Sequence, residues 1–152
     1  MLKRYSITRL TERELDRILE IETASFGKEA YDRKLFAEYL RKCGDLFLGA
    51  WKGRKLCGYM LTRKSADSPR AELISVAVDP SCRGQGVGDA LMKSTLRRLA
   101  HRRTLRFSLM VKLTNTGARR FYEKYGFTKV RLVRGYYEDN QDAISMARDL
   151  PS

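Results

Sequence analysis

The order of apolar and polar positions along the chain predicts its secondary structure. Seven short segments alternate between apolar and polar residues, or are continuously apolar, between glycine, proline or polar clusters, as is typical of strands. They are residues 5–10, 46–51, 56–63, 72–78, 104–111, 127–133 and 143–149. Segments 11–25, 32–43, 87–99 and 115–125 carry apolar residues at helical spacing. The order β-α-α-β-β-β-α-β-α-β-β predicts a mixed sheet with helices on both faces.

Two of the predicted helices have clear end signals. Thr11 and Glu14 have the spacing of a capping box, in which each side chain accepts a hydrogen bond from the other residue's main chain. Gly126 is expected to end helix 115–125, since glycine adopts the left-handed conformation found after many helices. The first helix presents one face that carries Leu15, Ile18, Leu19 and Glu22.

Residues 74–88, ISVAVDPSCRGQGVG, combine a strand, a glycine-rich turn and the start of a helix. The apolar run 74–78 predicts a strand that is buried on both faces, and Pro80 ends it because proline has no N–H to donate. Gly84, Gly86 and Gly88 remove side chains from the turn, where the N–H groups and positive dipole end of the helix also point. Such a turn binds phosphate. Its spacing fits neither the dinucleotide fingerprint nor the nucleoside-triphosphate loop.

Length and composition predict one globular domain, residues 1–152, with 43% hydrophobic and 32% charged residues. No apolar run reaches the length of a membrane span, and the N-terminal sequence lacks a signal core, so we expect a cytoplasmic protein with no membrane partner. Cys43, Cys57 and Cys82 are odd in number and lack C-x-x-C spacing, which favours free thiols. With His101 as the single histidine, no metal site is expected.

A second motif lies in residues 115–127, NTGARRFYEKYGF, which match the pattern N-x-x-A-x-x-F-Y-x-x-x-G-F. This motif and R-G-Q-G-V-G after V-A-V-D-P both resemble the GNAT acetyltransferases, and the order of elements resembles that family along essentially the whole chain. The resemblance implies an α/β GNAT fold with a mixed, mostly antiparallel seven-stranded sheet. Its central strand pair would splay apart to hold acetyl-CoA.

The resemblance also implies a role for each motif. The loop main chain would hold the pyrophosphate of acetyl-CoA, and the preceding strand and the Asn115 side chain would contact the pantetheine arm. The hydroxyl of Tyr122 would lie near the sulfur and protonate the leaving thiolate, although a packed aromatic is the alternative reading of that residue. The residues implied to bind acetyl-CoA are Val76, Ala77, Val78, Arg83, Gly84, Gln85, Gly86, Val87, Gly88, Asn115, Ala118 and Tyr122.

Residues 135–146, GYYEDNQDAISM, resemble the Y-Y-x-x-x-x-D-A-x-x-M ending of the ribosomal-protein-alanine and protein N-terminal acetyltransferases. In those enzymes the tyrosine pair lies on the loop that covers the first residues of the substrate peptide. The resemblance implies that Tyr136, Tyr137 and Phe26 contact the acceptor; ordinary strand-end aromatics are the alternative for the tyrosine pair. Segment 26–31 lacks the Pro-Trp pair that is typical of the ribosomal enzymes.

The catalytic base is where the sequence departs from the ribosomal enzymes. They carry a glutamate at the position that Met110 occupies here, and methionine cannot accept a proton. Glu72 lies where many N-terminal acetyltransferases have a histidine, so it is the candidate base, acting through water; a surface carboxylate without a catalytic role is the alternative. An α-amino group has a pKa of about 8, against about 10 for lysine, so a weak base suffices for an N-terminal substrate.

We therefore predict an acetyl-CoA-dependent N-acetyltransferase in which a bound primary amine, the N-terminal α-amino group of a protein, attacks directly in a ternary complex. One alternative is a small-molecule acceptor such as a polyamine, an antibiotic or an amino acid. Another is a non-catalytic acetyl-CoA-binding regulator or RNA-associated module. The net charge of +13, with five arginines in residues 97–106, is compatible with proximity to the ribosome or to nucleic acid. A monomer or weak homodimer is expected.

Overall fold

The computed structural model describes residues 5–151 and contains one mixed seven-stranded sheet. Residues 1–4 and 152 of the predicted domain lie outside this description. The strands are β1 (Ser6–Arg9), β2 (Phe47–Lys52), β3 (Lys55–Lys64), β4 (Arg70–Val78), β5 (Arg106–Lys112), β6 (Thr128–Val133) and β7 (Ala143–Asp149). The helices are α1 (Leu15–Phe26), α2 (Arg33–Lys42), α3 (Val87–His101) and α4 (Thr116–Lys124). The predicted order of elements is confirmed.

The strand order in the sheet is β1-β2-β3-β4-β5-β7-β6. The pairs β1–β2, β2–β3, β5–β7 and β6–β7 are antiparallel, and β4–β5 is parallel. The parallel register matches Arg70–Glu72 with Arg106–Ser108, while β4 continues to Val78 and β5 to Lys112. The mixed and mostly antiparallel sheet that the sequence predicts is therefore confirmed.

The chain separates into two compact units. Unit 1 consists of the residues up to 63 together with 74–99, and unit 2 consists of residues 64–73 together with those from 100 onward. The boundary within β4 falls directly after Leu73, one residue beyond the last position that pairs with β5. The glycine-rich loop therefore belongs to unit 1, and α4 with the β6–β7 loop belongs to unit 2.

Unit 1 is built around the apolar faces of α1 and α2 and the strands β2 and β3. The rings of Phe36, Phe47 and Tyr59 pack with centroids 5.8 to 5.9 Å apart. The predicted capping box is confirmed, since Thr11 and Glu14 bond each other's main chain before a short 3-10 turn leads into α1. The buried cluster consists of Leu10, Leu15, Ile18, Ile21, Phe36, Leu40, Cys43, Phe47, Leu56, Tyr59, Leu61 and Ala77.

Unit 2 is built around α4 and the strands β5, β6 and β7. The ring of Phe127 packs on Phe107 at 5.4 Å and on Tyr122 at 5.8 Å between centroids, which places the buried face of α4 against the strands. Gly126 follows α4 with φ of 87°, so its predicted role in ending the helix is confirmed. The orientation of Tyr122 is thus fixed by aromatic packing within this unit.

The expectation that segment 74–78 is buried on both faces is wrong. Burial alternates along β4: one face is buried and the other is only partly covered. The buried face carries Ala71, Leu73, Ser75 and Ala77, and the partly covered face carries Glu72, Ile74, Val76 and Val78. A continuous apolar run cannot distinguish these cases, because β-branched residues suit both a buried face and one that is partly exposed.

Gly58 in β3 allows β4 and the start of α3 to approach closely. A Cβ at this position would lie 2.8 Å from the carbonyl oxygen of Ala77 and 2.9 Å from the Val87 side chain. A main-chain oxygen cannot yield as a flexible side chain does, so Gly58→Ala is expected to lower the free energy of unfolding by about 1–3 kcal/mol. Urea unfolding measures this, and Gly117→Ala is the control.

Gly117 is a suitable control because it lies in α4 and no atom would meet a Cβ there within 4 Å among the described residues. Gly117→Ala is expected to leave stability unchanged or to raise it, since alanine is the better helix former by about 1 kcal/mol. Equal stability of Gly58→Ala and the unmodified protein would contradict the close approach.

Candidate functional site: a glycine-rich loop and two tyrosine-bearing elements

The segment between β4 and α3 is held by a network around Asp79. Asp79 caps the 3-10 turn Pro80–Cys82 by accepting from the N–H of Ser81 at 2.8 Å, and it forms an ion pair with Arg17 of α1. These hydrogen bonds hold the pKa of the Asp79 carboxyl far below its usual range, with Arg17 the largest cause. The start of the loop is therefore tied to α1 by a carboxylate that stays charged.

The glycine-rich loop leaves open space at Gly84 and Gly86. Gly84 and Gly86 have φ of 75° and 84°, and a Cβ on either would meet no atom within 4 Å among the described residues. Gly88 lies in the first turn of α3, which begins at Val87, the first residue of the predicted helical segment. The first N–H groups of a helix have no partner within the helix, so those of this turn point out beyond its end.

Two residues of the loop bond to neighbouring segments of unit 1, Arg83 through its side chain and Gln85 through its main-chain carbonyl. Arg83 donates to the Val78 carbonyl at 3.3 Å and to the Ser25 hydroxyl at 3.2 Å. The Gln85 carbonyl accepts from the Tyr5 hydroxyl at 3.1 Å. Arg83 thus donates to the main-chain carbonyl of Val78, one of the residues that the resemblance assigns to pantetheine binding. Its bond to Ser25 links the loop to the last turn of α1.

The strand residues assigned to pantetheine differ in exposure. Val76 and Val78 lie on the partly covered face of β4, whereas Ala77 is buried in the core of unit 1.

The cysteines of unit 1 are buried thiols. Burial and a hydrogen bond with the Cys82 thiol raise the pKa of Cys57 to about 11. Cys43, Cys57 and Cys82 are all free and buried, which confirms the expectation of unpaired thiols.

Asn115 and Tyr122 occupy the two ends of α4. Asn115 is the N-cap, and its side-chain oxygen accepts from the N–H of Ala118 at 3.1 Å. Tyr122 is 7% exposed, and no hydrogen bond to its hydroxyl is found among residues 5–151. Burial, with a smaller contribution from Tyr137, raises the pKa of Tyr122, so the phenol stays protonated at neutral pH.

The loop between β6 and β7 presents the predicted tyrosine pair unequally. Tyr136 is 51% exposed, and its ring meets the Tyr137 ring edge-on at 5.0 Å. The Tyr137 ring lies under the ammonium group of Lys112, 5.3 Å from it, and Lys112 also pairs with Asp139 at 3.3 Å. Tyr137 is therefore held in place while Tyr136 is exposed, and the sequence carried no sign of the Lys112 contacts.

Tyr137 contributes to the raised pKa of Tyr122, although the two residues are assigned different roles. Glu72 is half-buried and pairs in register with Ser108 of β5. Met110 is also half-buried, pairs with Ser145 and shares a face of β5 with Ser108. This face of unit 2 therefore carries both Glu72 and Met110, the two positions that the resemblance compares with a catalytic base.

Phe26, at the end of α1, is 39% exposed. Four residues earlier, Glu22 is 1% exposed and accepts three hydrogen bonds. Its place on the apolar face of α1 was visible in the sequence, but its partners come from distant segments and were not.

The residues of the loop fit the diphosphate of acetyl-CoA. The positive φ and open space at Gly84 and Gly86 leave room for an anion against the main chain, which the helix dipole of α3 favours. Among the described residues, no group of three or more His, Cys, Asp and Glu side chains is placed to hold a metal ion. Within the same residues, no helix is both long and apolar enough to cross a membrane.

Two relatives align with nearly the whole chain. An uncharacterized N-acetyltransferase of Methanocaldococcus jannaschii is 32% identical over 147 residues, covering 96% of this chain and 92% of the relative. A protein of Saccharolobus solfataricus named N-alpha-acetyltransferase is 28% identical over 148 residues, covering 90% and 88%.

Two solved structures share the fold. Ard1 from Thermoplasma volcanium superposes with a TM-score of 0.92 at 27% identity, covering 99% of this chain and 100% of that one. The ribosomal-protein-S18-alanine N-acetyltransferase of Escherichia coli superposes with a TM-score of 0.85 at 27% identity, covering 97% and 95%. The sequence profile of the acetyltransferase (GNAT) family matches residues 13–127, which is more than half of the chain. The chain therefore belongs to the acetyltransferase (GNAT) family, which uses acetyl-CoA.

Proposed function

We propose that this protein acetylates the N-terminal α-amino group of a protein, by direct attack of the bound amine on acetyl-CoA. The observation that carries the proposal is the β6–β7 loop, which holds Tyr137 against Lys112 and exposes Tyr136. The names of the relatives from S. solfataricus and E. coli support the same acceptor class.

Within this proposal, acetyl-CoA supplies the acetyl group as a thioester with a good leaving group. The main chain between Arg83 and Gly88 holds its diphosphate, residues Val76–Val78 and Asn115 align the pantetheine arm, and Ala118 lines it. The protonated Tyr122 donates a hydrogen bond to the departing thiolate. Tyr136, Tyr137 and Phe26 border the acceptor. The splaying of β4 from β5 beyond Glu72 is part of the proposal, and the three-residue register of that pair supports it.

Glu72 is proposed to accept the proton of the attacking amine through water. Glu72→Gln is therefore expected to lower kcat/KM about tenfold and to remove one limb of the pH–rate profile, because the amide cannot accept that proton. The control is Glu123→Gln, which removes an exposed carboxylate of α4. An unchanged pH–rate profile in Glu72→Gln would show that Glu72 does not accept the proton of the amine and that water alone accepts it.

Thiol release from acetyl-CoA, measured with a panel of acceptors, tests the function. The panel holds peptides with free and blocked N-termini, an internal-lysine peptide, a polyamine and free amino acids. Release that requires a free peptide N-terminus supports the proposal. Release with the polyamine or amino acids alone would establish a small-molecule enzyme, and acetyl-CoA binding without release would establish the non-catalytic alternative.

We also propose that the protein works in the cytoplasm, as a monomer or weak homodimer. Its free cysteines suit a reducing compartment. Proximity to the ribosome or to nucleic acid is supported by the net charge of +13. Part of the arginine run has structural partners, because Arg98 donates to the Asp45 carbonyl and Arg106 pairs with Asp149 at 2.8 Å. Measuring the binding of ribosomal RNA at physiological salt tests whether the other arginines of this run contact nucleic acid.

A further inference from the structure

Glu22 is a buried carboxylate to which the proposed chemistry gives no role. It lies on the last turns of α1 with 1% of its surface exposed, and burying a charge is costly unless hydrogen bonds replace the lost water. Three donors replace it: the Tyr59 hydroxyl, the Ser75 hydroxyl at 3.2 Å and the main-chain N–H of Tyr31 at 2.9 Å. Through these three hydrogen bonds the Glu22 carboxylate connects three segments of unit 1.

The donors come from different parts of unit 1. Tyr59 lies on β3 and Ser75 on the buried face of β4, where the side chains alternate with those of Val76 and Val78. The third donor, the N–H of Tyr31, lies just beyond the 3-10 turn Gly27–Glu29 that joins α1 to α2. Glu22 thus fixes the main chain of this connection to the strands of the core.

The connection, residues 26–31, presents two aromatic rings. Phe26 and Tyr31 are each 39% exposed, and the Tyr31 ring meets the buried Phe36 edge-on at 5.8 Å between centroids. Gly27 has φ of 54°, which lets the chain reverse after α1, and the N–H of Ala30 bonds the Gly27 carbonyl at 3.1 Å. Those local contacts set the turn, and the Tyr31–Glu22 bond sets where the turn lies relative to the core.

We infer that Glu22 is a positioning residue: its carboxylate fixes the Tyr31 main chain and thereby the conformation of segment 26–31 that borders the acceptor. This inference rests on the proposed function, in which Phe26 borders the acceptor. Glu22 is too deeply buried to touch the reacting amine, so it acts through the segment. Its loss should weaken acceptor binding and leave acetyl-CoA binding intact.

Three substitutions separate positioning from chemistry. Glu22→Met has a similar length but leaves the Tyr31 N–H without an acceptor, so the KM for the acceptor peptide should rise about tenfold. Glu22→Gln keeps one oxygen for Tyr31, and its NH2 can donate to the hydroxyls of Tyr59 and Ser75, so it should restore the KM. Tyr59→Phe keeps the Tyr31 bond and should change the KM little. Glu20→Gln is the surface control on the same helix.

Two readouts that need no turnover accompany the kinetics. Amide hydrogen exchange at Tyr31 should be at least about tenfold faster in Glu22→Met and unchanged in Glu22→Gln. The Kd for acetyl-CoA, measured by calorimetry, should stay within about twofold in every variant. If Glu22→Met does not fold, Glu22→Asp serves instead, since its shorter carboxylate keeps the charge but withdraws from Tyr31.

Two results would overturn the inference. An unchanged acceptor KM and Tyr31 exchange rate in Glu22→Met, or in Glu22→Asp, would show that Glu22 does not hold the segment. A loss of kcat with an altered pH–rate profile in Glu22→Gln would show that the carboxylate takes part in proton transfer. Failure of the unmodified protein to acetylate any peptide would refute the proposed function alone, because Tyr31 exchange still reports on Glu22.

Discussion

Gly86→Glu is expected to abolish binding of acetyl-CoA. Gly86 has φ of 84°, and no atom would meet a Cβ there within 4 Å among the described residues, so the new side chain would enter the space assigned to the diphosphate. The carboxylate would also satisfy the N–H groups at the start of α3 and repel the incoming phosphates. Steric and electrostatic effects act together, so the affinity should fall at least about a hundredfold. Calorimetric titration with acetyl-CoA measures this.

Gly53→Glu is the matched control for Gly86→Glu. Gly53 lies in the two-residue turn between β2 and β3 and also has a positive φ (61°); a Cβ there would meet no atom of residues 5–151 within 4 Å. It should suffer the same backbone strain, of about 1–3 kcal/mol, and gain the same charge, yet bind acetyl-CoA normally. Wild-type affinity in Gly86→Glu would refute the assignment of the loop.

Tyr122→Phe is expected to lower kcat about a hundredfold while the Kd for acetyl-CoA changes less than about threefold. The ring is held by Phe121 and Phe127, so phenylalanine should keep the packing and lose only the hydroxyl. No partner for that hydroxyl is found among residues 5–151, so removal should not leave a protein group unsatisfied. The loss should therefore fall on the step in which the thiolate leaves.

The pH dependence of Tyr122→Phe provides a second check. Burial raises the pKa of Tyr122, so the hydroxyl keeps its proton throughout the neutral range and contributes no titration there. The variant should show a lower rate with the same profile between about pH 6 and 9. Tyr125→Phe, on the same helix, is the control. Equal kcat in Tyr122→Phe and the unmodified protein would show that the Tyr122 hydroxyl has no catalytic role and that the ring serves only in packing.

Much of the fold followed from local sequence signals. The capping box at Thr11 and Glu14 and the helix end at Gly126 each depend on residues within a few positions, so reading the chain in order sufficed. The two family motifs also identified the GNAT family, which the profile match confirms. Helix boundaries shifted slightly, as at α1, which begins at Leu15 and not at residue 11, because a helix start depends on which hydrogen bonds form.

The burial of β4 and the partners of Glu22 depend on contacts between distant segments. The apolar run 74–78 looked continuous, yet one face of β4 is only partly covered, and no local pattern records what covers a strand. The need for glycine at position 58 arises from its close approach to Ala77 and Val87, which lie far away in the sequence. Such features depend on packing, which a one-dimensional pattern does not contain.

The sequence by itself determined the order of elements, the glycine loop and the family, because each depends on residues that lie close together along the chain. Only the tertiary structure decided that Glu22 reaches Tyr31, Tyr59 and Ser75, and that the Lys112 ammonium group lies over the Tyr137 ring. The physical reason is that the environment of a buried or half-buried polar group is set by the segments that pack around it, and these lie far away along the chain.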